Sequence, residues 1–234
     1  MKPPSSPKPK SAQASVGTER KGDEYSIARE RLVRELAARG IRDERVLEAL
    51  RRVPRHLFVQ EHQRFRAYGD WALPIGSEQT ISQPYVVARM TELLEVTSEH
   101  AVLEIGSGSG YQTAVLALLA RRVYSLERIH ALAREAITRM RELGLVENVK
   151  IQTFDGTVGW SEVAPFDRIL VTAGAPRVPE PLLDQLAPRG VLVIPEGSRN
   201  AQKLVVYRKS AAGEIVRHEG EDVAFVPLLG RHGW

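Results

Sequence analysis

The chain has 234 residues, of which 43% are hydrophobic, so it can bury one sizeable core without disulfides or a structural metal. Cysteine is absent, which excludes disulfides, thiolate metal sites and cysteine nucleophiles and fits a reducing, cytoplasmic compartment. The formal net charge of +4 resides in residues 1–22, so the rest of the chain is neutral and its composition does not support nucleic-acid binding.

Residues 1–24 are rich in Pro, Ser and Lys, and we predict a disordered basic tail there. They lack the apolar centre of a secretory signal, and no segment runs apolar for long enough to span a bilayer. We therefore expect a soluble monomer with one domain over residues 25–234. Within it we expect a helical, substrate-covering segment (25–98) and a cofactor-binding core (99–234).

The N-terminal part of this domain is predicted to be helical. Apolar residues recur at helical spacing from Tyr25 until Gly40, and a second short helix is predicted from Asp43 to Arg52. A third helix is predicted from Pro84 to Glu95.

The intervening residues 56–83 have no regular pattern and are dense in aromatic and turn residues. So long an irregular stretch is typical of a binding element or of a missed structural element. We expect core positions for each of its aromatic side chains, Phe58, Phe65, Tyr68 and Trp71.

After residue 99, strands and helices alternate. The predicted strands are 101–105, 123–126, 149–153, 168–172 and 191–194, and the predicted helices are 112–120, 129–143 and 180–186. This alternation is typical of an α/β fold with a doubly wound, mostly parallel sheet. Residues 203–228 read as strands without an intervening helix, so we predict an antiparallel edge near the C-terminus.

A glycine-rich loop follows the first of these strands. Gly106, Gly108 and Gly110 lie between an apolar strand and a helix, which is the context of a loop that holds a nucleotide-type cofactor. The alternative is a simple turn. A dinucleotide fingerprint would place its third glycine at position 111, where this chain has Tyr111, so the loop favours S-adenosylmethionine over NAD.

Two acidic positions follow later strands. Glu127 ends the second strand of the core, about twenty residues after the loop, where an acid can accept both ribose hydroxyls. Asp155 and Gly156 follow the third strand at the same sheet edge. A solvated charge and a plain Asp-Gly turn are the respective alternatives.

Other chemistries lack support in the sequence. The six histidines show no metal-ligand spacing, so we expect no metal. Neither Ser107 nor Ser109 lies in the G-x-S-x-G pattern of an elbow serine, and no G-x-x-x-x-G-K phosphate loop occurs.

Several blocks resemble the protein-L-isoaspartate O-methyltransferase family. The blocks are VPRHLFV (53–59), AYGDWALPIG (67–76), QTISQPYVVARM (79–90), VLEIGSGSGYQTA (102–114), FDGTVGW (154–160) and APRVPEPLLDQLAPRGVLVIPEG (175–197). The resemblance implies a Rossmann-like methyltransferase fold. It also implies methyl transfer from S-adenosylmethionine to the α-carboxylate of L-isoaspartyl residues in damaged proteins, with S-adenosylhomocysteine as the product.

The resemblance also implies site residues. Ser82 would be the active-site serine, which would orient the carboxylate without forming a covalent intermediate; a helix-capping role is its alternative. The cofactor would be held by Thr80, Ile81, Glu104, Gly106, Ser107, Gly108, Gly110, Glu127, Asp155 and Gly156.

Three positions depart from the family pattern. Phe154 stands where a glycine is frequent, and Arg189 and Glu196 interrupt the usual Pro-Gly-Gly and Pro-Val-Gly turns. The segment 56–83 and the stretch VAFVPL (223–228) would form the peptide cleft by the same analogy. A small-molecule methyltransferase, a nicotinamide oxidoreductase and a non-catalytic binding protein are the competing hypotheses.

Overall fold

The structure is a computed structural model and describes residues 24–234. The predicted basic tail therefore lies, except for Glu24, outside the described residues. The helices are α1 (Ser26–Ala38), α2 (Glu44–Arg52), α3 (Pro84–Leu94), α4 (Tyr111–Leu119), α5 (His130–Glu142) and α6 (Glu180–Asp184). Within residues 24–234, no helix is long and apolar enough to cross a membrane.

The strands form one small and one large sheet. The small sheet pairs β1 (Leu73–Gly76) and β2 (Gln79–Ile81), and the large sheet contains β3 (Ala101–Ile105), β4 (Arg122–Glu127), β5 (Val149–Thr153), β6 (Phe166–Val171), β7 (Leu186–Ser198), β8 (Ala201–Lys209) and β9 (Ile215–Val223). The large sheet has the order β5-β4-β3-β6-β7-β8-β9. Strands β3 to β7 pair in parallel, whereas β8 and β9 add antiparallel strands at one edge. The predicted fold class and its antiparallel edge are confirmed.

The strand order reverses between β3 and β6. From β3 the chain winds outward through β4 and β5, and it then crosses back to β6 on the other side of β3. In open α/β sheets, ligands bind at such a switch point, beyond the carboxyl ends of the strands. The order therefore places a site after Ile105 and Val171, the last residues of these two strands.

The irregular stretch 56–83 contains more structure than the pattern predicts. It folds into short 3-10 turns (Arg55–Phe58 and Glu61–Arg66) and the hairpin β1-β2, whose strands are too short to show a period. Phe58 and Tyr68 are buried as expected. The prediction of core positions for Phe65 and Trp71 is wrong, because they are 79% and 46% exposed on the surface of this segment.

Candidate functional site

The glycine loop lies directly above the carboxyl end of β3. Gly106, Gly108 and Gly110 all have positive φ, at 96°, 51° and 89°, which L-residues adopt only with strain. A Cβ on Gly106 would lie 2.5 Å from the Oγ1 atom of Thr172. Position 106 therefore has no room for a side chain, and only glycine fits there without displacing Thr172.

Glu127 holds this loop from the neighbouring strand. One carboxylate oxygen accepts the N–H of Gly108 at 2.9 Å, and the other accepts the N–H of Ile129 at 2.8 Å. The residue is only 7% exposed, yet its carboxylate lines the cleft above the loop. Each carboxylate oxygen can accept more than one hydrogen bond, so Glu127 can hold the loop and still accept hydroxyl groups of a ligand.

Glu104 lies beneath the loop and is fully buried. Its Oε2 atom accepts the hydroxyls of Thr113 at 2.6 Å and Ser125 at 2.5 Å, whereas Oε1 has no hydrogen-bond partner in the described part of the chain. Burial, assisted by the nearby charge of Glu127, raises the pKa of Glu104 to about 7 against the opposing effect of the two hydroxyls. The loop thus rests on a carboxyl group that a nearby cation would help to ionise.

Asp155 binds the C-terminal segment. Its Oδ1 accepts both the N–H and the hydroxyl of Thr157, at 2.9 and 2.7 Å, and its Oδ2 accepts the N–H of Arg231 at 2.8 Å. Partial burial raises its pKa, but these hydrogen bonds outweigh burial and leave the pKa lowered. The adjacent position 156 accommodates only glycine, because a Cβ there would lie 2.3 Å from the side chain of Ile105.

These elements enclose a cleft of about 240 Å³. Of the residues predicted to hold a cofactor or act in catalysis, the structure brings eight to its wall: Thr80, Ile81, Ser82, Gly106, Ser107, Gly108, Glu127 and Gly156. Glu104, Gly110 and Asp155 support the wall from behind without lining it.

The polar groups of this cleft fit S-adenosylmethionine. Glu127 offers acceptors for a ribose diol, and the buried hydroxyl of Ser107 has no partner in the described chain and is free to bind a ligand. Apolar side chains, including Leu126 and Leu228, supply walls for an adenine ring. Among residues 24–234, no group of three or more His, Asp or Glu could hold a metal ion.

A second, larger groove of about 1540 Å³ adjoins the first cleft. It runs along β9 and the loop that precedes α6, and it is open to solvent. Four residues line both spaces: Thr80, Ser82, Thr172 and Val226. A reactant in the groove and a cofactor in the cleft would therefore meet at these residues.

Ser82 occupies this junction with its hydroxyl free of hydrogen bonds to the described residues. The capping alternative is wrong, because α3 begins after Gln83 and its backbone N–H at Tyr85 is bound by Asp70, at 2.8 Å. The backbone carbonyl of Ser82 accepts a hydrogen bond of 2.7 Å from the guanidinium of Arg55.

Sequence reasoning missed Arg55 and Thr172. Arg55 is fully buried, donates to the carbonyls of Ala67 and Ser82, and lies 4.8 Å from the ring centroid of Tyr111. The hydroxyl of Thr172 lies 2.6 Å from the carbonyl oxygen of Gly106 and 2.9 Å from that of Ile105. Thr172 could have been found from the sequence, because it follows a strand at the switch point. Nothing in the sequence distinguishes Arg55 from other arginines.

The three departures from the family pattern lie at different depths. Phe154 is 48% exposed and does not line the cleft. Arg189 has a φ of +63° in the bulge where β7 shifts its register against β6, so a conformation that favours glycine holds a longer side chain here. Glu196 is 7% exposed and lines the groove.

Comparison with known proteins agrees with this geometry. A family model described as Protein-L-isoaspartate(D-aspartate) O-methyltransferase (PCMT) matches residues 27–233. The chain is 56% identical to a protein-L-isoaspartate O-methyltransferase from Trichlorobacter lovleyi, over 90% of this chain and 97% of the relative. It is 53% identical to one from Geobacter metallireducens, again over 90% and 97%.

A solved structure supports the same family. A protein of this description from Plasmodium falciparum, in complex with S-adenosyl-L-homocysteine, is 29% identical to the chain. It aligns with a TM-score of 0.74 over 86% of this chain and 98% of that one.

We predict that Gly106→Ala weakens S-adenosylmethionine binding by roughly tenfold or more, because the new Cβ must displace Thr172 and strain the loop. Isothermal titration measures the loss. Gly213→Ala is the matched control, since Gly213 has a similar φ of +92° but nothing within 4 Å of a Cβ. Equal losses of affinity in the two variants would contradict the role of the loop.

We also predict a pH dependence that comes from Glu104. Its folded pKa of about 7 exceeds the ordinary 4.5, so between these values the folded protein keeps a proton that the unfolded chain has lost. The unliganded protein should therefore lose stability as the pH rises from about 4.5 to 7 and change little above that. Denaturant titrations across this range measure the change.

The same group should make cofactor binding depend on pH. S-adenosylmethionine brings an ammonium and a sulfonium cation, which favour the ionised carboxyl, so affinity should rise with pH until about 7 and then level off. Calorimetry in buffers of different ionisation enthalpy should detect proton release on binding. In Glu104→Gln the release should disappear; if it persists, another group titrates.

Proposed function

This chain belongs to the protein-L-isoaspartate(D-aspartate) O-methyltransferase family, and we propose that its Ser82 orients the substrate carboxylate towards the methyl donor. The enzyme transfers a methyl group from S-adenosylmethionine to the α-carboxylate of L-isoaspartyl residues, which initiates repair of damaged proteins. The single observation that supports the role of Ser82 is its place at the junction of the cofactor cleft and the open groove.

The reaction needs little acid-base chemistry from the protein. A carboxyl group with a pKa near ~4 is already ionised at neutral pH, so its oxygen is ready to attack. Bound S-adenosylmethionine supplies the methyl group on its sulfonium. Positioning two reactants in this way can contribute several kcal/mol, up to roughly 7–11 kcal/mol in ideal cases. The hydroxyl of Ser82 has one proton to donate to a carboxylate oxygen, and this hydrogen bond would fix its direction.

Each side of the junction has a proposed task. On the cofactor side, Glu127, Ser107 and the backbone of residues 106–110 would bind the ribose and methionine parts, with Thr80 and Ile81 closing the cleft from β2. Glu104 and Asp155 would act indirectly, through the loop and through the C-terminal segment. On the other side, the groove would receive the peptide.

The openness of the groove favours a peptide over a small molecule. Its wall includes the stretch Val223–Val226 and residues of the loop before α6. We also propose that residues 25–234 act as one catalytic domain in a monomer and work in the cytoplasm on isoaspartyl proteins, without nucleic acid. Light scattering of the purified protein tests the oligomeric state.

We predict that Ser82→Ala lowers kcat on an isoaspartyl peptide by roughly 100-fold, a loss comparable to that of other positioned hydrogen-bond donors. The dissociation constant for S-adenosylhomocysteine should stay within about twofold, since the serine would bind the carboxylate. The exposed Ser98, which lies outside both spaces, provides the control variant Ser98→Ala.

The assay compares the isoaspartyl peptide with the same sequence containing normal aspartate. Equal labelling of both peptides by the unchanged enzyme would argue against the substrate. Parallel losses of turnover and cofactor affinity in Ser82→Ala would argue against the orienting role.

We predict that Arg55→Lys lowers kcat by about tenfold, because the single nitrogen of lysine cannot replace both Nε and Nη2, which bind the carbonyls of Ala67 and Ser82. Arg55 is a positioning residue, so the loss should depend on Ser82. In a double-mutant cycle, Arg55→Lys should have little further effect on kcat once Ser82 is alanine.

The control for this cycle is Arg51→Lys on α2, which changes a surface guanidinium paired with Glu30 and Glu48. An equal loss from Arg55→Lys in both backgrounds would show that Arg55 supports the fold in general and does not act through Ser82.

A further inference from the structure

A buried carboxylate in the wall of the groove has no task in the reaction as described. Glu196 lies on β7 and is 7% exposed. Burying a carboxylate is costly unless its oxygens are paired and hydrogen-bonded. The partners of Glu196 therefore indicate what the charge is used for.

Glu196 connects three separate parts of the chain. Its Oε1 accepts the N–H of Val178 at 2.7 Å and the hydroxyl of Tyr207 on β8 at 2.6 Å. Its Oε2 accepts the Nη2 and Nε groups of Arg217 on β9, at 2.9 and 3.2 Å. Burial, together with the hydrogen bond to Glu196, raises the pKa of Tyr207 to about 12.

These parts differ in how they are held, since β8 is paired on both sides and largely buried, whereas β9 is paired only with β8. Strand β9 is the edge of the large sheet, and its residues from Ile215 to Asp222 are all exposed. The loop before α6 joins the sheet through single bridges, Gly174 to Pro227 and Ala175 to Glu196. Apolar packing therefore contributes little to the position of β9, which is held by its ladder to β8, by the ion pair of Glu221 with Arg89, and by the ion pair of Arg217 with Glu196.

The residues that Glu196 joins also line the groove. Val178, Tyr207 and Arg217 all face this space, as does Glu196 itself, and none of the four lines the cofactor cleft. The Arg217 guanidinium is shared with Glu219, whose Oε1 lies 2.7 Å from Nη1, so each of its three nitrogens has a carboxylate acceptor.

We propose that Glu196 is a positioning residue for the peptide substrate, which holds the loop before α6, β8 and β9 together as one wall of the groove. The inference rests on the proposed function, in which the groove receives the isoaspartyl peptide. A fixed wall reduces the ordering that a flexible peptide must impose on binding, so its loss should weaken peptide affinity and leave the methyl donor unaffected.

The test is the variant Glu196→Gln, assayed with an isoaspartyl peptide at saturating S-adenosylmethionine. The amide oxygen can still accept from Val178, but the charge that binds Arg217 is gone. We expect KM for the peptide to rise about tenfold, with kcat and the dissociation constant for S-adenosylhomocysteine within about twofold.

Two further variants keep the test decisive. Tyr207→Phe removes one hydrogen bond to Glu196 without removing its charge, and it should raise KM in the same direction by a smaller factor, even where Glu196→Gln fails to fold. The matched control is Glu95→Gln, which breaks an ion pair with Arg208. Arg208 also lies on β8, but neither residue of this pair lines the groove or the cleft. This control should leave KM unchanged.

An unchanged KM in folded Glu196→Gln, or one that rises together with a loss of cofactor affinity, would overturn the inference. So would an equal rise in Glu95→Gln. If the unchanged enzyme does not methylate the isoaspartyl peptide at all, the proposed function fails first. Methylation by the unchanged enzyme, together with an unchanged KM in the variant, defeats only the role of Glu196.

Discussion

The position of Ser82 between the cleft and the groove depends on one buried cation. The guanidinium of Arg55 is removed from water, and burial lowers its pKa, although nearby hydroxyl and carboxyl groups oppose that effect. It is compensated by two backbone carbonyls and by the face of Tyr111. These contacts join the segment that carries Ser82 to the helix that follows the glycine loop. The contacts therefore connect Ser82 to Tyr111 in the wall of the cleft, which fits the proposed positioning of two reactants.

Three acidic residues at the sheet edge illustrate how environment divides their roles. Glu104 is fully buried, and burial raises its pKa to about 7. The pKa of Asp155 is instead lowered by the groups that donate hydrogen bonds to it. Glu127 holds the loop backbone and still faces the cleft. A cofactor with positive charge would therefore lie against Glu127 and near the fully buried Glu104, while Asp155 holds the C-terminal segment in place.

The two spaces of the molecule are built from different parts of the sheet. The cofactor cleft lies beyond the parallel strands, where the switch between β3 and β6 opens a crevice. The groove lies along the antiparallel extension, whose outer strand β9 is almost entirely exposed. Polar connections such as that of Glu196 replace the packing that this edge lacks.

Local sequence by itself determined the elements with a short period. The strand at 101–105, the glycine loop and the helix after it were predicted to within one residue, because alternation and helical spacing repeat over a few positions. The sequence also contained the family blocks, which assigned the reaction and Ser82. It did not resolve the hairpin β1-β2, whose strands are shorter than a recognisable period.

Only the tertiary structure decided which distant residues meet. Arg55 binds a carbonyl 27 positions away, and Thr172 lies against Gly106 across 66 positions. The pattern of either segment contains no information about the other, because these contacts follow from how the sheet winds and how the N-terminal segment packs over it. The sequence thus indicated the reaction, and the packing of distant segments places Ser82 at the junction of the cleft and the groove.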